Sequence, residues 1–204
     1  MKKSNVYSYE IDGKLYINLT NRCTNACEFC VRKDDSYEGY YLWLEKEPTV
    51  QEVVSSIDDL SKYSEVVFCG YGEPTERIET LVELGKYFKS DGKKTRLNTN
   101  GHGNKINGRN VAKELVGAID VVSISLNQTT REKYNALCHC IYGEEGFDDM
   151  LSFAKDCVKE GLDTYMSVVK VDGVDVEEAA KIAKDCGAKL KVREYIEVNR
   201  KVNE

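Results

Sequence analysis

Residues 119–126 read Ile-Asp-Val-Val-Ser-Ile-Ser-Leu (IDVVSISL), a short and nearly continuous apolar run rich in β-branched side chains. A strand with one face in water alternates apolar and polar positions, whereas this run leaves little for water to touch. It therefore predicts a strand covered on both faces, the mark of a parallel sheet. Runs of the same kind stand on either side, at residues 65–69 (EVVFC) and 163–171 (DTYMSVVKV). Parallel strands need long crossovers, so the segments between them should be helices.

Working outward, further strands are expected at 14–20, 94–98 and 189–196. Helices are expected at 49–60, 78–89, 111–116, 130–137, 147–159 and 176–185. The first opens with Thr49 and Glu52 in a capping-box arrangement behind Pro48. This gives about six strands separated by helices, in agreement with a length of 204 residues at roughly 30 residues per βα unit. A closed eight-unit barrel typically needs about 250 residues. An open doubly wound sheet and a partial, six-unit barrel both remain, and both bind ligands at the carboxyl ends of their strands.

Composition narrows the function classes. With 41% hydrophobic and 31% charged residues and no linker-like stretch, the chain reads as one α/β domain over residues 1–204. A net charge of −6 argues against extended binding of nucleic acid. No apolar run suggests a membrane span, and the opening MKKSNVYSYE lacks the apolar core of a signal peptide, so a cytoplasmic location is expected. Eight cysteines are then unexpected, because a reducing compartment disfavours disulfides.

Three of the eight fall together in Cys23-Thr-Asn-Ala-Cys27-Glu-Phe-Cys30, directly after the first expected strand. Thiolates this close in a loop without proline are able to converge on one metal centre. Structural zinc usually takes a second pair of close ligands, and no further C-x2-C or H-x3-H spacing occurs. An iron–sulfur cubane accepts thiolates iron by iron, and three would leave one iron open. Other polar segments also follow strands: Gly70 to Pro74, Asn98 to Gly101, and Ser125 to Gln128. If the strands are adjacent and parallel, all of these open on one rim.

The C-x3-C-x2-C loop, with Phe29 before its last cysteine, resembles the signature of the radical S-adenosylmethionine (SAM) superfamily. Gly70-Tyr71-Gly72-Glu73-Pro74 is similar to that superfamily's Gly-Gly-Glu-Pro segment, with Tyr71 replacing the first glycine. Asn98-Thr99-Asn100-Gly101 resembles the Thr-Asn-Gly turn of its activating-enzyme-like branch, and Ser125-Leu126-Asn127 stands where that branch contacts ribose. The short length and the stretch FCGYGEPT are most similar to small members associated with TatD-family nucleases.

The resemblance implies a partial (β/α)6 TIM-like barrel. It also implies a [4Fe-4S] cluster held by Cys23, Cys27 and Cys30, with SAM chelating the fourth iron. Gly72, Glu73 and Pro74 would meet the methionyl ammonium. Ser125 and Asn127, two apart on a strand, would point the same way toward the ribose, and Phe29 and Val168 would flank the adenine. Asn98, Thr99 and Asn100 complete the expected cofactor-binding set. A flavodoxin- or ferredoxin-like protein would supply the electron, and the family context suggests a nucleotide-related substrate.

Each segment also has a plainer reading, since Gly-Glu-Pro and Asn-Gly are common turns. Rival functions are a 7-carboxy-7-deazaguanine synthase-like enzyme, a glycyl-radical activating enzyme, and a non-catalytic zinc or iron–sulfur module. Cys138, Cys140 and Cys157 invite a second metal site, although C-x-C is poor tetrahedral geometry. Cys69, Cys157 and Cys186 read as packing residues. His102 is expected either on the rim, touching ligand, or in solvent. Tyr37, Tyr40 and Tyr41 either line a pocket or cover the cluster.

Overall fold

The computed structural model describes residues 2–34, 36–170 and 173–194. Its centre is one sheet whose strands lie side by side in chain order: β1 (Ser8–Ile11), β2 (Lys14–Ile17), β3 (Glu65–Phe68), β4 (Lys94–Thr99), β5 (Val121–Ser125), β6 (Asp163–Lys170) and β7 (Lys189–Glu194). From β2 onward every pairing is parallel. A doubly wound sheet would reverse its strand order at a switch point. Strict sequential order is that of a barrel, and among the described residues β1 and β7 are the edges of the sheet.

The sheet has one strand more than the sequence reading expected. β1 pairs antiparallel with β2 through Asp12-Gly13, both with positive φ, at 50° and 69°. Two successive left-handed residues make the turn that matches strand twist, and Asp-Gly is a favoured pair for it.

The helices are α1 (Val50–Ser55), α2 (Ile78–Ser90), α3 (Gly103–Asn107), α4 (Ala112–Leu115), α5 (Arg131–Cys138), α6 (Glu145–Lys159) and α7 (Val176–Asp185). The capping box at Thr49 and Glu52 is present. The expected helix over 49–60 stops at Ser55, and residues 60–62 form a separate 3-10 turn capped by Asp59. α3 is an addition. The ends of two expected strands, at 171 and at 195–196, lie outside the described residues. Among the described residues no helix is long and apolar enough to cross a membrane.

Strand alternation divides the interior. Leu15, Ile17, Phe68, Leu97, Val122, Ile124, Met166 and Val168 face the helices and pack with Leu81, Leu84, Phe88, Met150 and Phe153. Burying each such side chain contributes about 1.5–3 kcal/mol. The intervening positions form the hollow side of the sheet. Its β1–β2 end is aromatic: Tyr9 lies 5.3 Å from Tyr16 and 5.4 Å from Tyr40, ring centre to ring centre. Toward β4–β7 the same face is polar, with Arg96, Ser123, Tyr165 and Lys191 around a cavity of about 160 Å³.

Candidate functional site

The cysteine loop is fixed by backbone hydrogen bonds to the chain around the end of α5. Ala26 N–H donates to Cys138 O at 2.8 Å, Glu28 N–H to Leu137 O at 3.0 Å, and Ile141 N–H to Thr24 O at 2.9 Å. These bonds leave Cys23, Cys27 and Cys30 partly exposed, and Phe29 between the last two is 37% exposed.

The three thiols differ in electrostatics. Burial and the nearby Glu73 push Cys23 up to about 12, against the pull of Asn25 N–H, which donates to its sulfur at 3.4 Å. Cys27 is raised first by a hydrogen bond with Cys138 and then by burial, and Cys30 by burial. Arg32 draws all three down. Cys138 moves the opposite way, lowered by Cys27 and, more weakly, by Asn127 Nδ2, which donates to its sulfur at 3.4 Å. Cys138 is thus a fourth thiol at the loop, a contact that sequence spacing did not reveal.

The segment after β3 meets the cysteine loop through its backbone. A Cβ on Gly72 would stand 2.3 Å from Thr20 O and 2.6 Å from Arg22 O, so only glycine fits. Glu73 N–H also donates to Arg22 O at 2.7 Å. Pro74 is buried as the first residue of a 3-10 helix, Pro74–Arg77, whose cap is Glu73.

Glu73 is the hub. Its Oε1 accepts from Thr75 N–H at 3.1 Å, Thr75 Oγ1 at 2.8 Å and Thr99 Oγ1 at 2.7 Å, and its Oε2 accepts from Asn100 N–H at 2.7 Å. Full burial raises its pKa, and these bonds oppose the rise. The expectation that Glu73 faces a ligand ammonium is therefore modified: most of its acceptor capacity serves its own chain.

Asn100 extends the network to the cysteines. Its Nδ2 donates to Thr24 Oγ1 at 2.8 Å and lies 3.7 Å from Cys23 Sγ, while its Oδ1 accepts from His102 N–H at 3.0 Å. His102 is not a solvated loop residue. It is fully buried, with Nδ1 2.8 Å from Thr24 Oγ1 and Nε2 2.9 Å from Gly146 O. A carbonyl only accepts, so Nε2 carries the proton and Nδ1 accepts from Thr24. Burial lowers its pKa, in keeping with a neutral ring.

The remaining expected residues fare unevenly. Ser125 ends β5, opposite Ser167 on β6. Asn127 lies beyond the strand with φ of 60°, so alternation does not align it with Ser125. Val168 is fully buried on the helix side, which leaves only its backbone for an adenine. Asn98 hydrogen-bonds Cys69. Tyr37 and Tyr40 pack against the cluster of Tyr9, Leu42 and Tyr71, while Tyr41 is exposed.

The donor set suits an iron–sulfur cluster: three thiols in one loop, with amide donors at Cys23 and a cation nearby. Among the described residues no three His, Cys, Asp or Glu side chains are gathered to hold a single ion. A cubane does not require that, because its thiolates bind separate irons. Four buried side-chain amide oxygens, Asn18 Oδ1 just past β2, Asn25 Oδ1 in the cysteine loop, Asn98 Oδ1 in β4 and Gln128 Oε1 beyond β5, have no hydrogen-bond partner among the described residues. All four are acceptors, and those of Asn25, Asn98 and Gln128 suit a ligand rich in ammonium and hydroxyl donors.

Comparison with known proteins agrees with this geometry. A Methanocaldococcus jannaschii protein, whose name carries a provisional assignment as a glycyl-radical enzyme activating enzyme, is 26% identical over 80% of the chain. The chain spans 66% of that relative's length. The fold matches Streptococcus suis SuiB with a TM-score of 0.61 at 17% identity, over 88% of this chain and 39% of that one. It matches native anSMEcpe with bound AdoMet with a TM-score of 0.62 at 19% identity, over 89% and 50%. The family model described as the radical SAM superfamily covers residues 17–186, from the end of β2 past the end of α7, and the chain belongs to that superfamily.

Proposed function

We propose that this chain is a radical SAM enzyme that holds a [4Fe-4S] cluster on Cys23, Cys27 and Cys30 and cleaves SAM reductively to abstract hydrogen from a substrate that the site's residues do not identify. Held by Cys23, Cys27 and Cys30, the cluster would supply one-electron reduction of SAM, and the resulting cleavage of the S–C5′ bond would furnish methionine and the radical chemistry for hydrogen abstraction from the substrate. The electron comes from a flavodoxin- or ferredoxin-like donor.

The chain's own residues bind and position. Cys23, Cys27 and Cys30 lose their protons on binding iron, helped by Arg32. Asn25, Asn98 and Gln128 offer their unpaired carbonyl oxygens to the ammonium and hydroxyl groups of SAM. Glu73 holds the turn at Asn100 against the segment at Gly72. One observation carries the reading: Asn100 joins Thr24 in the cysteine loop through its side chain and Glu73 through its backbone, so cluster and SAM segments share one scaffold.

Anaerobic reconstitution with iron and sulfide tests it. The wild type should take up about four irons per chain and turn brown, and Cys23→Ala, Cys27→Ala and Cys30→Ala should each lose most of that iron. A colourless protein carrying zinc would overturn the proposal.

A second reading, activation of a glycyl-radical enzyme, draws on the relative at 26% identity. Its substrate would be a backbone glycine of another protein. The finer placement among TatD-associated members rests on the FCGYGEPT stretch, residues 68–75.

A further inference from the structure

The polar half of the hollow face contributes nothing to the thiol loop, yet its charge is one-sided. Lys14, Arg96, Lys191 and Arg193 cluster there around one carboxylate, Glu65, with Lys14 Nζ 3.0 Å and Arg96 Nε 3.4 Å from it. Asp163, the other acid at the cavity, is paired with Lys189 at 2.7 Å. In a chain of net charge −6 this is a local excess of positive charge in a recess, where field lines are focused.

Arg193 reaches across the hollow. It stands on the edge strand β7, its Nη2 donates to Ser123 Oγ on β5 at 3.2 Å, and its charge acts on the Cys69 thiol at the end of β3. Its Nε is buried without a hydrogen-bond partner among the described residues. Arg96 likewise acts on Cys69 and lies two residues below Asn98, about 7 Å along the strand. The cavity is lined by the first residues of β3 to β6, Glu65, Lys94, Val121 and Asp163, so the basic group lies toward the N-terminal ends of the strands, on the far side of the hollow from the cysteine loop. A guanidinium with an unused N–H, beside a second guanidinium and an ammonium, is a receptor for a small oxyanion.

We infer that the hollow binds an oxyanion-bearing small molecule, a phosphate ester or a carboxylate, with Arg96 and Lys191, which line the cavity, and Arg193, which adjoins it at Ser123, gripping the anionic group. A cavity of about 160 Å³ holds roughly five waters' worth of volume, which suits a headgroup and excludes a folded partner.

Calorimetric titration of the cluster-loaded protein at low salt, with inorganic phosphate in one arm and acetate in the other, tests this. Saturable binding is expected in at least one arm, which names the anion class. Arg193→Gln and Lys191→Gln should each weaken it about tenfold or more, and Arg193→Lys should recover part of the loss. Lys191 is exposed, so K191Q keeps the test valid should R193Q misfold. No saturable binding in either arm, or binding unchanged in K191Q and R193Q, overturns the inference. Production of 5′-deoxyadenosine in the same preparations separates the two claims. SAM cleavage without anion binding removes only the anion site, and anion binding without SAM cleavage removes only the radical SAM reading.

Discussion

Glu73 Oε2 accepts the backbone N–H of Asn100 at 2.7 Å, which ties the turn after β3 to the turn after β4. In Glu73→Gln one acceptor oxygen becomes a donor amide facing N–H and O–H groups. The loss should be about 1–3 kcal/mol, the cost of stranding buried polar groups. Urea denaturation should show a lower midpoint with an unchanged slope. An E73Q midpoint equal to wild type would contradict the hub role.

Gly72→Ala places a methyl group against two carbonyl oxygens of the chain leading into the cysteines. Backbone has to move, at a cost of about 1–3 kcal/mol, and the displaced segment is the one that carries Arg22 to Cys23. Reduced thermal stability together with lower iron uptake is expected. Full stability and full iron content would show that the contact is dispensable.

His102 gives the acid limb a sign. Burial lowers its folded pKa below 6.5, so below about pH 6.5 the unfolded chain binds more protons than the folded one. Its contribution is intact above that pH and is lost as pH falls toward the depressed folded value. Replacing His102 with Gln should flatten stability against pH on the acid side of about pH 6.5. An unchanged acid slope in H102Q would contradict the neutral ring.

Cys138 touches Cys27 but stands outside the ligand loop. Cys138→Ser should keep near-wild-type iron, while Cys27→Ala loses most of it. A loss in C138S as deep as in C27A would make Cys138 a ligand.

The parallel sheet was legible because apolar runs such as 119–126 have few alternative folds. The hairpin at Asp12-Gly13 is equally readable from its turn dipeptide. Strand order was not legible, since local pattern carries no information on which strands are neighbours. The site's segments were visible by position and its wiring was not. The partners of His102, Cys138 and Glu73 lie far away in sequence, and the buried ring of His102 looks in sequence like any turn histidine. Arg96 and Arg193 carry no signal in sequence, because on an exposed strand the same pattern is ordinary.

The central claim is that Cys23, Cys27 and Cys30 hold a cluster that cleaves SAM. Its most direct test is 5′-deoxyadenosine formation by reconstituted protein given dithionite and SAM without oxygen. The account predicts formation in the wild type and none above background in Cys27→Ala. Absence of the product from wild-type protein carrying a full complement of iron would contradict it.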